Sequence, residues 1–319
     1  MKTALVCGAG GFIGSHLCRM LKLDGYHVIG VDLKFPEYSD SWADKFYIWD
    51  LTEKEAVKYV LSSKVDEVYQ LAADMGGAGY IFTGEHDAQI MRNSALINLN
   101  IAERAREVGL KKLFFSSSAC IYPQENQTDS NCPNCAESTA YPAHPDSEYG
   151  WEKLFSERLY LSYSRNYGMD IRIARLHNIY GPEGSWNNGK EKAPAAICRK
   201  VIESNGEIEI WGDGEQTRSF LYINECLIGI RKLMQHPVQL EPINIGSDEM
   251  VSINKLVEMV AKIANKQITI KHIPGPLGVR GRSSDNTLIK GLLEWAPDYS
   301  LEEGLKKTYN WINCKLNGK

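Results

Sequence analysis

Along the first half of the chain, short apolar runs alternate with longer stretches in which apolar residues recur every three or four positions. Thr3–Cys7, His27–Asp32, Lys45–Trp49, Glu67–Leu71, Lys112–Ser116 and Ile171–Leu176 read as strands. Ser15–Leu23, Glu53–Leu61, Gln89–Val108 and Glu148–Asn166, lying between them, read as helices. Strands separated by helices of this length predict βαβ units, a parallel sheet and right-handed crossovers. The strands are almost continuously apolar, as strands covered on both faces are. The expectation is an α/β chain with a doubly wound parallel sheet.

After Asn178 the texture changes. Residues 181–192 are glycine-rich and polar and read as a loop. Ala193–Ser204, Asn224–Met234 and Ile253–Ala264 read as helices, and Glu207–Trp211 and Ile243–Ile245 as strands. Gly212–Arg218 reads as a turn and His272–Arg282 as a Pro/Gly-rich stretch. No repeat, low-complexity segment or linker divides the chain. The expected organisation is a larger domain, 1–180 plus 222–246, and a smaller C-terminal α/β domain, 181–221 plus 247–319, sharing one cleft.

The chain's 319 residues suffice for a sizeable core. Lys plus Arg is 36 and Asp plus Glu is 40, a formal balance of −4 that gives no reason to expect nucleic acid or an anionic membrane. No apolar run approaches a membrane span, and the first apolar segment, broken at once by glycines, reads as a strand rather than a signal peptide. The eight cysteines are scattered, several inside apolar patterns, which suits a reduced, cytoplasmic protein. Cys132 and Cys135 form a CxxC with no second pair to complete a zinc site, so they read as two free thiols on a loop, and no metal is expected.

The glycines Gly8, Gly11 and Gly14 follow the first strand and open the first helix. There a tight turn lets a pyrophosphate approach a helix N-terminus. Asp32 ends the second strand, where a carboxylate accepts from an adenosine ribose and favours NAD over NADP, although Lys34 two residues on softens that discrimination. Asp50 ends the third strand and reads equally as an adenine contact or a helix N-cap. Tyr149 and Lys153 stand at i and i+4 on one helix face, after a strand that ends in Ser118. A neighbouring ammonium favours the phenolate, and a Ser, Tyr and Lys together form a proton-handling set for alcohol–ketone interconversion. Cys120 follows Ser118 by two residues, a spacing that puts both on one side of an extended chain. On residue chemistry alone Cys120 reads as an inert thiol, and Lys192 as a solvated loop lysine.

With Gly8–Gly14, Asp32, Ser118 and the Tyr149/Lys153 pair, the chain resembles the extended short-chain dehydrogenase/reductases of the NAD-dependent epimerase/dehydratase family that act on nucleotide sugars. Leu71–Gly79, Ser116–Pro123, His177–Pro182, Glu191–Pro194, Gly212–Phe220, Asn244–Val251 and His272–Arg282 are similar to the subfamily that acts on GDP-mannose. The resemblance implies a Rossmann domain with a substrate domain, bound NAD regenerated in each turnover, and a homodimer formed through the two long helices. It implies epimerisation at C3 and C5 after transient oxidation at C4, giving GDP-L-galactose, GDP-L-gulose or both. It assigns Tyr149, Lys153 and Ser118 to the C4 chemistry, and Cys120 and Lys192 to removing and returning protons on the two faces of the ring.

The same resemblance puts Phe12, Ile13, Leu71, Ala72 and Ala73 beside the cofactor. It puts Gly77, Ala78, Ala119, Asn178, Glu191, Ala193, Lys200, Gln216, Thr217, Arg218 and Arg282 beside the substrate, with Arg280 a competitor to Arg282 for the diphosphate. The alternatives are a nucleotide-sugar 4-epimerase, which needs no base at Cys120, and a non-catalytic dinucleotide sensor. A 4,6-dehydratase fits less well, because Ala119 and Cys120 stand where that chemistry uses adjacent Asp and Glu.

Overall fold

The apolar runs of the first half become one sheet. In a computed structural model, which describes residues 1–131, 133–239, 241–275 and 278–318, the strands are β1 (Thr3–Cys7), β2 (His27–Asp32), β3 (Lys45–Ile48), β4 (Glu67–Gln70), β5 (Lys112–Ser118) and β6 (Ile171–Leu176), together with the edge strand Ile243–Ile245. Cys132 of the CxxC, Pro276 and Leu277 of the His272–Arg282 stretch, and the side chain of Ala78 lie outside the described residues. The seven strands run in the order β3-β2-β1-β4-β5-β6 and then Ile243–Ile245, with every neighbouring pair parallel. The helices are α1 (Phe12–Leu23), α2 (Lys54–Val60), the single turn α3 (Ala78–Ile81), α4 (Asp87–Glu107), α5 (Glu148–Tyr167), α6 (Ala193–Glu203), α7 (Ile223–Gln235), α8 (Ile253–Ala264), α9 (Thr287–Leu293) and α10 (Leu301–Asn317).

The alternation of side chains along a strand explains why both faces are covered. In β1, Ala4 and Val6 join one core with Leu17 of α1 and Ile230 of α7. Leu5 and Cys7 join a second core with Val57 of α2, Ile101 of α4 and Tyr160 of α5. This is the doubly wound Rossmann arrangement. The first core continues through Ile197 and Val201 of α6, Leu256 of α8 and Leu305 of α10, so the C-terminal elements share their apolar interior with the sheet. Chain order reverses between β1 and β4, and a crevice at the carboxyl ends of the strands is the expected ligand position there.

Small sheets complete the C-terminal part. Glu207–Trp211 pairs in parallel with Thr269–Ile273. Thr217–Ser219 lies between Met250–Ser252 and Gly281–Arg282. The turn expected over Gly212–Arg218 therefore ends early, and the Pro/Gly-rich stretch begins and ends in strand residues. Both differences arise because these strands are short and take their partners from distant sequence.

Candidate active site

The crevice at the reversal is built first from glycines. Gly8 has φ +84°, and a Cβ on it would lie 2.9 Å from the Ala72 amide nitrogen. A Cβ on Gly14 would lie 2.0 Å from the Gly8 carbonyl oxygen, so only glycine lets α1 pack this closely on the turn. Gly10, which the GxxGxxG spacing passes over, is equally constrained: its Cβ would lie 2.0 Å from the Lys34 carbonyl oxygen. Its amide also donates to Asp32 Oδ2 at 2.9 Å, tying the turn to the end of β2. Gly11 is the N-cap of α1 and brings no side-chain cap, leaving the first amides of the helix for an anion. Asp50 is not a helix N-cap, because Glu53 holds that position; its Oδ1 accepts from the Thr52 amide at 2.8 Å. Gln70 pins Ala72 at both its carbonyl and its amide.

A cavity of about 610 Å³ runs from this turn across the sheet. Phe12, Ile13, Asp32, Asp50, Leu71, Ala72 and Ala73 border one part of it, and Ser118, Tyr149, Lys153 and Lys192 another. The close backbone approaches at Gly8, Gly10 and Gly14, an uncapped helix N-terminus and a carboxylate at the end of β2 form a set that fits NAD.

The strand β5 and the start of α5 carry the proton-handling groups. Ser147 caps α5 by accepting from the Gly150 amide. Gly150 lets the helix press against the next segment, since its Cβ would fall 2.2 Å from the Cys120 carbonyl oxygen. Ser118, at the end of β5, bears on the buried Tyr149 hydroxyl. Lys153 Nζ donates to the Ser116 carbonyl at 2.9 Å and lies 5.7 Å from the centre of the Tyr149 ring. The expected phenolate is not what this environment favours. Burial pushes Tyr149 well above the usual tyrosine range, Cys120 and Glu152 push the same way, and only Ser118 opposes them. Burial also pulls Lys153 below the usual lysine range.

Cys120 reaches the site by a different route from the one its spacing suggests. Ala119–Ile121 is one turn of 3₁₀ helix, so the alternation of an extended chain does not apply. Ser118 caps that turn, its Oγ accepting from the Cys120 amide at 3.2 Å. The sulfur accepts from Arg282 Nη1 at 3.2 Å. Arg282 also donates through Nε to Gln127 Oε1 and through Nη2 to Asp146 Oδ2, each at 2.5 Å. Its three nitrogens are thus engaged within the protein, and its nearest chemistry is the thiol rather than an open diphosphate site. Between the two competing arginines, Arg282 turns inward, whereas Arg280 pairs outside with Asp213.

Arg218 is also enclosed, donating to the Thr217 and Val279 carbonyls, and burial with the nearby Arg282 charge pulls it down to about 10. Lys192 is the N-cap residue of α6, and Ala193 begins the helix. Burial pulls its ammonium below the usual range, Cys120 counters this and Arg282 adds to it.

The remaining expected substrate residues divide. A Cβ on Gly77 would lie 2.7 Å from the Glu191 carbonyl oxygen, so the glycine loop and the start of α6 are pressed together. Glu191 Oε2 and Gln216 Oε1 are buried with no hydrogen-bond partner among the described residues, as acceptors awaiting a ligand would be. Asn178, Lys200 and Thr217 instead bond carbonyls of Ser219, Glu209 and Ser130. Cys120, Asn178, Glu191, Lys200, Gln216, Arg218 and Arg282 do not border the cavity described above. Gly10, Gly150, Gln127 and Asp146 were not singled out in the sequence. The two glycines needed knowledge of which carbonyls they approach, and the last two are legible only once Arg282 is placed.

The model of the NAD dependent epimerase/dehydratase family matches residues 4–246. The chain belongs to that family. Its members are NAD-dependent enzymes, in agreement with the fit of the crevice to NAD. GDP-mannose 3,5-epimerase of Arabidopsis thaliana is 49% identical over 313 residues, covering 98% of this chain and 82% of that protein. UDP-glucose 4-epimerase of Thermotoga maritima, solved with UDP-glucose, superposes with a TM-score of 0.87 at 28% identity, covering 99% of this chain and 100% of the other. UDP-glucuronic acid 4-epimerase of Bacillus cereus, solved with UDP-glucuronic acid and NAD, gives a TM-score of 0.84 at 28% identity, covering 98% and 99%. No helix is long and apolar enough to cross a membrane among the described residues, and none of their His, Cys, Asp and Glu side chains cluster as a metal site would.

Proposed function

We propose that this enzyme inverts C3 and C5 of GDP-mannose, giving GDP-L-galactose and, where C5 alone is inverted, GDP-L-gulose. The observation that carries the reading is the grouping of Cys120 and Lys192 around the Ser118–Tyr149–Lys153 set. Cys120 packs against the apolar cluster that contains Tyr149, and Lys192 borders the same cavity as Ser118, Tyr149 and Lys153. A 4-epimerase needs the Ser, Tyr and Lys but has no task for a thiol and a second lysine. The 49% identical relative supports the same choice of substrate.

Bound NAD supplies the oxidation at C4 and its reversal. To take the C4 hydroxyl proton Tyr149 must first be ionised, against the burial that holds it protonated here, and the Lys153 ammonium beside it favours that ionised form. With a ketone at C4, the hydrogens at C3 and C5 become acidic, and Ser118 and Tyr149 stabilise the enolate oxygen. Cys120, with Arg282 beside its sulfur, removes a proton, and Lys192 returns one to the opposite face. A lysine whose proton affinity burial has lowered gives its proton up more readily than an exposed one.

We read 1–180 plus 222–246 as the NAD domain and 181–221 plus 247–319 as the nucleotide-sugar domain. The protein is assigned to the cytoplasm, and to a homodimer through α4 and α5, which expose Leu99, Trp151 and Phe155. The test is turnover of GDP-mannose in heavy water with deuterium located by NMR. Label at C3 and C5 is expected. Product without label would overturn the enolate route and favour the 4-epimerase, and absence of product from any nucleotide sugar would favour a sensor. Sedimentation of the wild type against Phe155→Glu checks the dimer.

A further inference from the structure

Between Tyr149 and Lys153 lies an acidic residue that the chemistry above leaves idle. Glu152 is 0% exposed. Its Oε1 accepts from Asn98 Nδ2 at 3.0 Å and from Ser156 Oγ at 2.6 Å, while Oε2 has no hydrogen-bond partner among the described residues. Asn98 Oδ1 accepts from Gln70 Nε2 at 2.8 Å and from the Tyr160 hydroxyl at 3.1 Å. Gln70 Nε2 also donates to the Ala72 carbonyl at 2.9 Å. The carboxyl is thereby connected from α5, through α4, to the turn after β4 that borders the cofactor cavity. A buried carboxylate with one bare oxygen is costly unless a positive charge answers it.

The charges around it identify that partner by elimination. On α5, Glu157 is bound by Arg175 of β6 through two hydrogen bonds, at 3.0 and 2.9 Å, and also accepts from Ser117 of β5. Glu157 and Arg175 answer each other. Cys120 reaches the pair from the turn after β5, Tyr149 from the preceding turn of α5, and Cys7 of β1 bears on Tyr160. Lys153 remains as a buried ammonium whose sole hydrogen-bond acceptor among the described residues is the Ser116 carbonyl, with the Phe115 ring 4.9 Å away. Glu152 remains as a carboxylate with no paired cation. Adjacent residues on a helix do not face each other, so the two act through their fields rather than a bond.

We propose that Glu152 is the buried counter-charge of Lys153, a positioning residue that keeps the lysine an ammonium beside Tyr149. This rests on reading Tyr149 and Lys153 as the proton-handling pair. The electrostatics agree: burial pulls Lys153 down, and Glu152 leads the groups that hold it up, ahead of Glu157 and Cys120. Glu152 also raises Tyr149. A negative charge raises both groups, so its removal lowers both.

The test compares wild type, Glu152→Gln, Glu152→Met and Glu152→Asp, all loaded with NAD. The Lys153 ammonium is titrated by ¹⁵N NMR, assigned with Lys153→Met, and kcat is measured against pH with GDP-mannose. The neutral variants should lower the Lys153 midpoint by about one pH unit or more. Both limbs of their pH profiles should move to lower pH, and Glu152→Asp should return the midpoint towards wild type. Glu152→Met, which buries no orphan amide donor, serves if Glu152→Gln does not fold. Loss of turnover at every pH with an unmoved Lys153 midpoint would mean that Glu152 only packs the core. If wild type fails to turn over GDP-mannose, the proposed substrate is wrong, and the Lys153 titration still decides this inference.

Discussion

Arg282 Nη1 donates to the sulfur of Cys120 across 3.2 Å, and the same guanidinium is fixed behind by Asp146 and Gln127. A contact of that kind, on a guanidinium itself held in place, fixes where the sulfur points. Arg282→Gln should therefore free the sulfur, change the rate at which iodoacetamide alkylates Cys120, and lower turnover by roughly 10²-fold. Peptide mapping by mass spectrometry separates Cys120 from the exposed Cys314. Equal alkylation rates in the two proteins would detach Arg282 from the thiol's chemistry.

Cys120→Ala separates the two halves of the proposed reaction. Ser118, Tyr149 and Lys153 are untouched, so substrate should still reduce bound NAD, seen as absorbance at 340 nm. Deuterium incorporation from heavy water should fall by about 10²–10⁴-fold, the usual contribution of a positioned general base. Wild-type incorporation would remove Cys120 from the mechanism.

Lys192 gives a prediction on stability. Its folded-state proton affinity is lowered, so the unfolded chain binds that proton more tightly. Stability then rises with pH across the window from the lowered folded value up to about 10.4, and below the window the cost of burying the charge is fully present. Lys192→Met should accordingly melt a few degrees higher than wild type at pH 7 while losing activity, and the difference should shrink as pH approaches 10. A variant that melts lower at pH 7 would show that the ammonium is stabilised where it sits.

The sheet was legible because its strands are continuous apolar runs and its helices are long and periodic; β1, β2 and β6 have the boundaries read from the pattern. The small strands were not, because Thr217–Ser219 and Gly281–Arg282 gain their pairing from partners far away in the chain. α10 went unread although its start is written locally, with Ser300 and Glu303 forming a capping box. In the site, Tyr149 and Lys153 follow from helical spacing. The contact between Arg282 and Cys120 does not, because it joins residues 162 positions apart. Cys120 departs from the alternation of an extended chain because of a local feature, the serine cap that winds Ala119–Ile121 into a turn.

His177 supplies an acid-stability prediction. It is buried, its Nε2 donates to Asn244 Oδ1 at 3.0 Å, and Nδ1 has no partner among the described residues. Burial pulls it down to about 3, against roughly 6.5 in an unfolded chain. The unfolded state therefore binds the extra proton first, and stability is lost as pH falls from about 6.5 towards 3, with a slope approaching about 1.4 kcal/mol per pH unit. Urea unfolding at pH 7, 6, 5 and 4 should show this slope reduced in His177→Gln. An unchanged slope would assign acid unfolding to other groups.

Gly10 and Gly25 make a paired test of the cofactor turn. A Cβ on Gly10 would meet the Lys34 carbonyl at 2.0 Å and the Asp32 carboxyl carbon at 3.1 Å, so Gly10→Ala must displace the end of β2, whose Asp32 is proposed to accept from the adenosine ribose. Gly25 has φ +81° but nothing within 4 Å of a Cβ, so Gly25→Ala strains only its own backbone. Gly25→Ala should cost about 1 kcal/mol of stability and leave NAD affinity intact. Gly10→Ala should weaken NAD binding by about 10²-fold in calorimetric titration, through the loss of the Asp32 position and of the close approach to the turn. Unaltered NAD affinity in Gly10→Ala would mean that the cofactor does not depend on this turn, and the fit of the crevice to a dinucleotide would have to be argued from Gly8 and Gly14 alone.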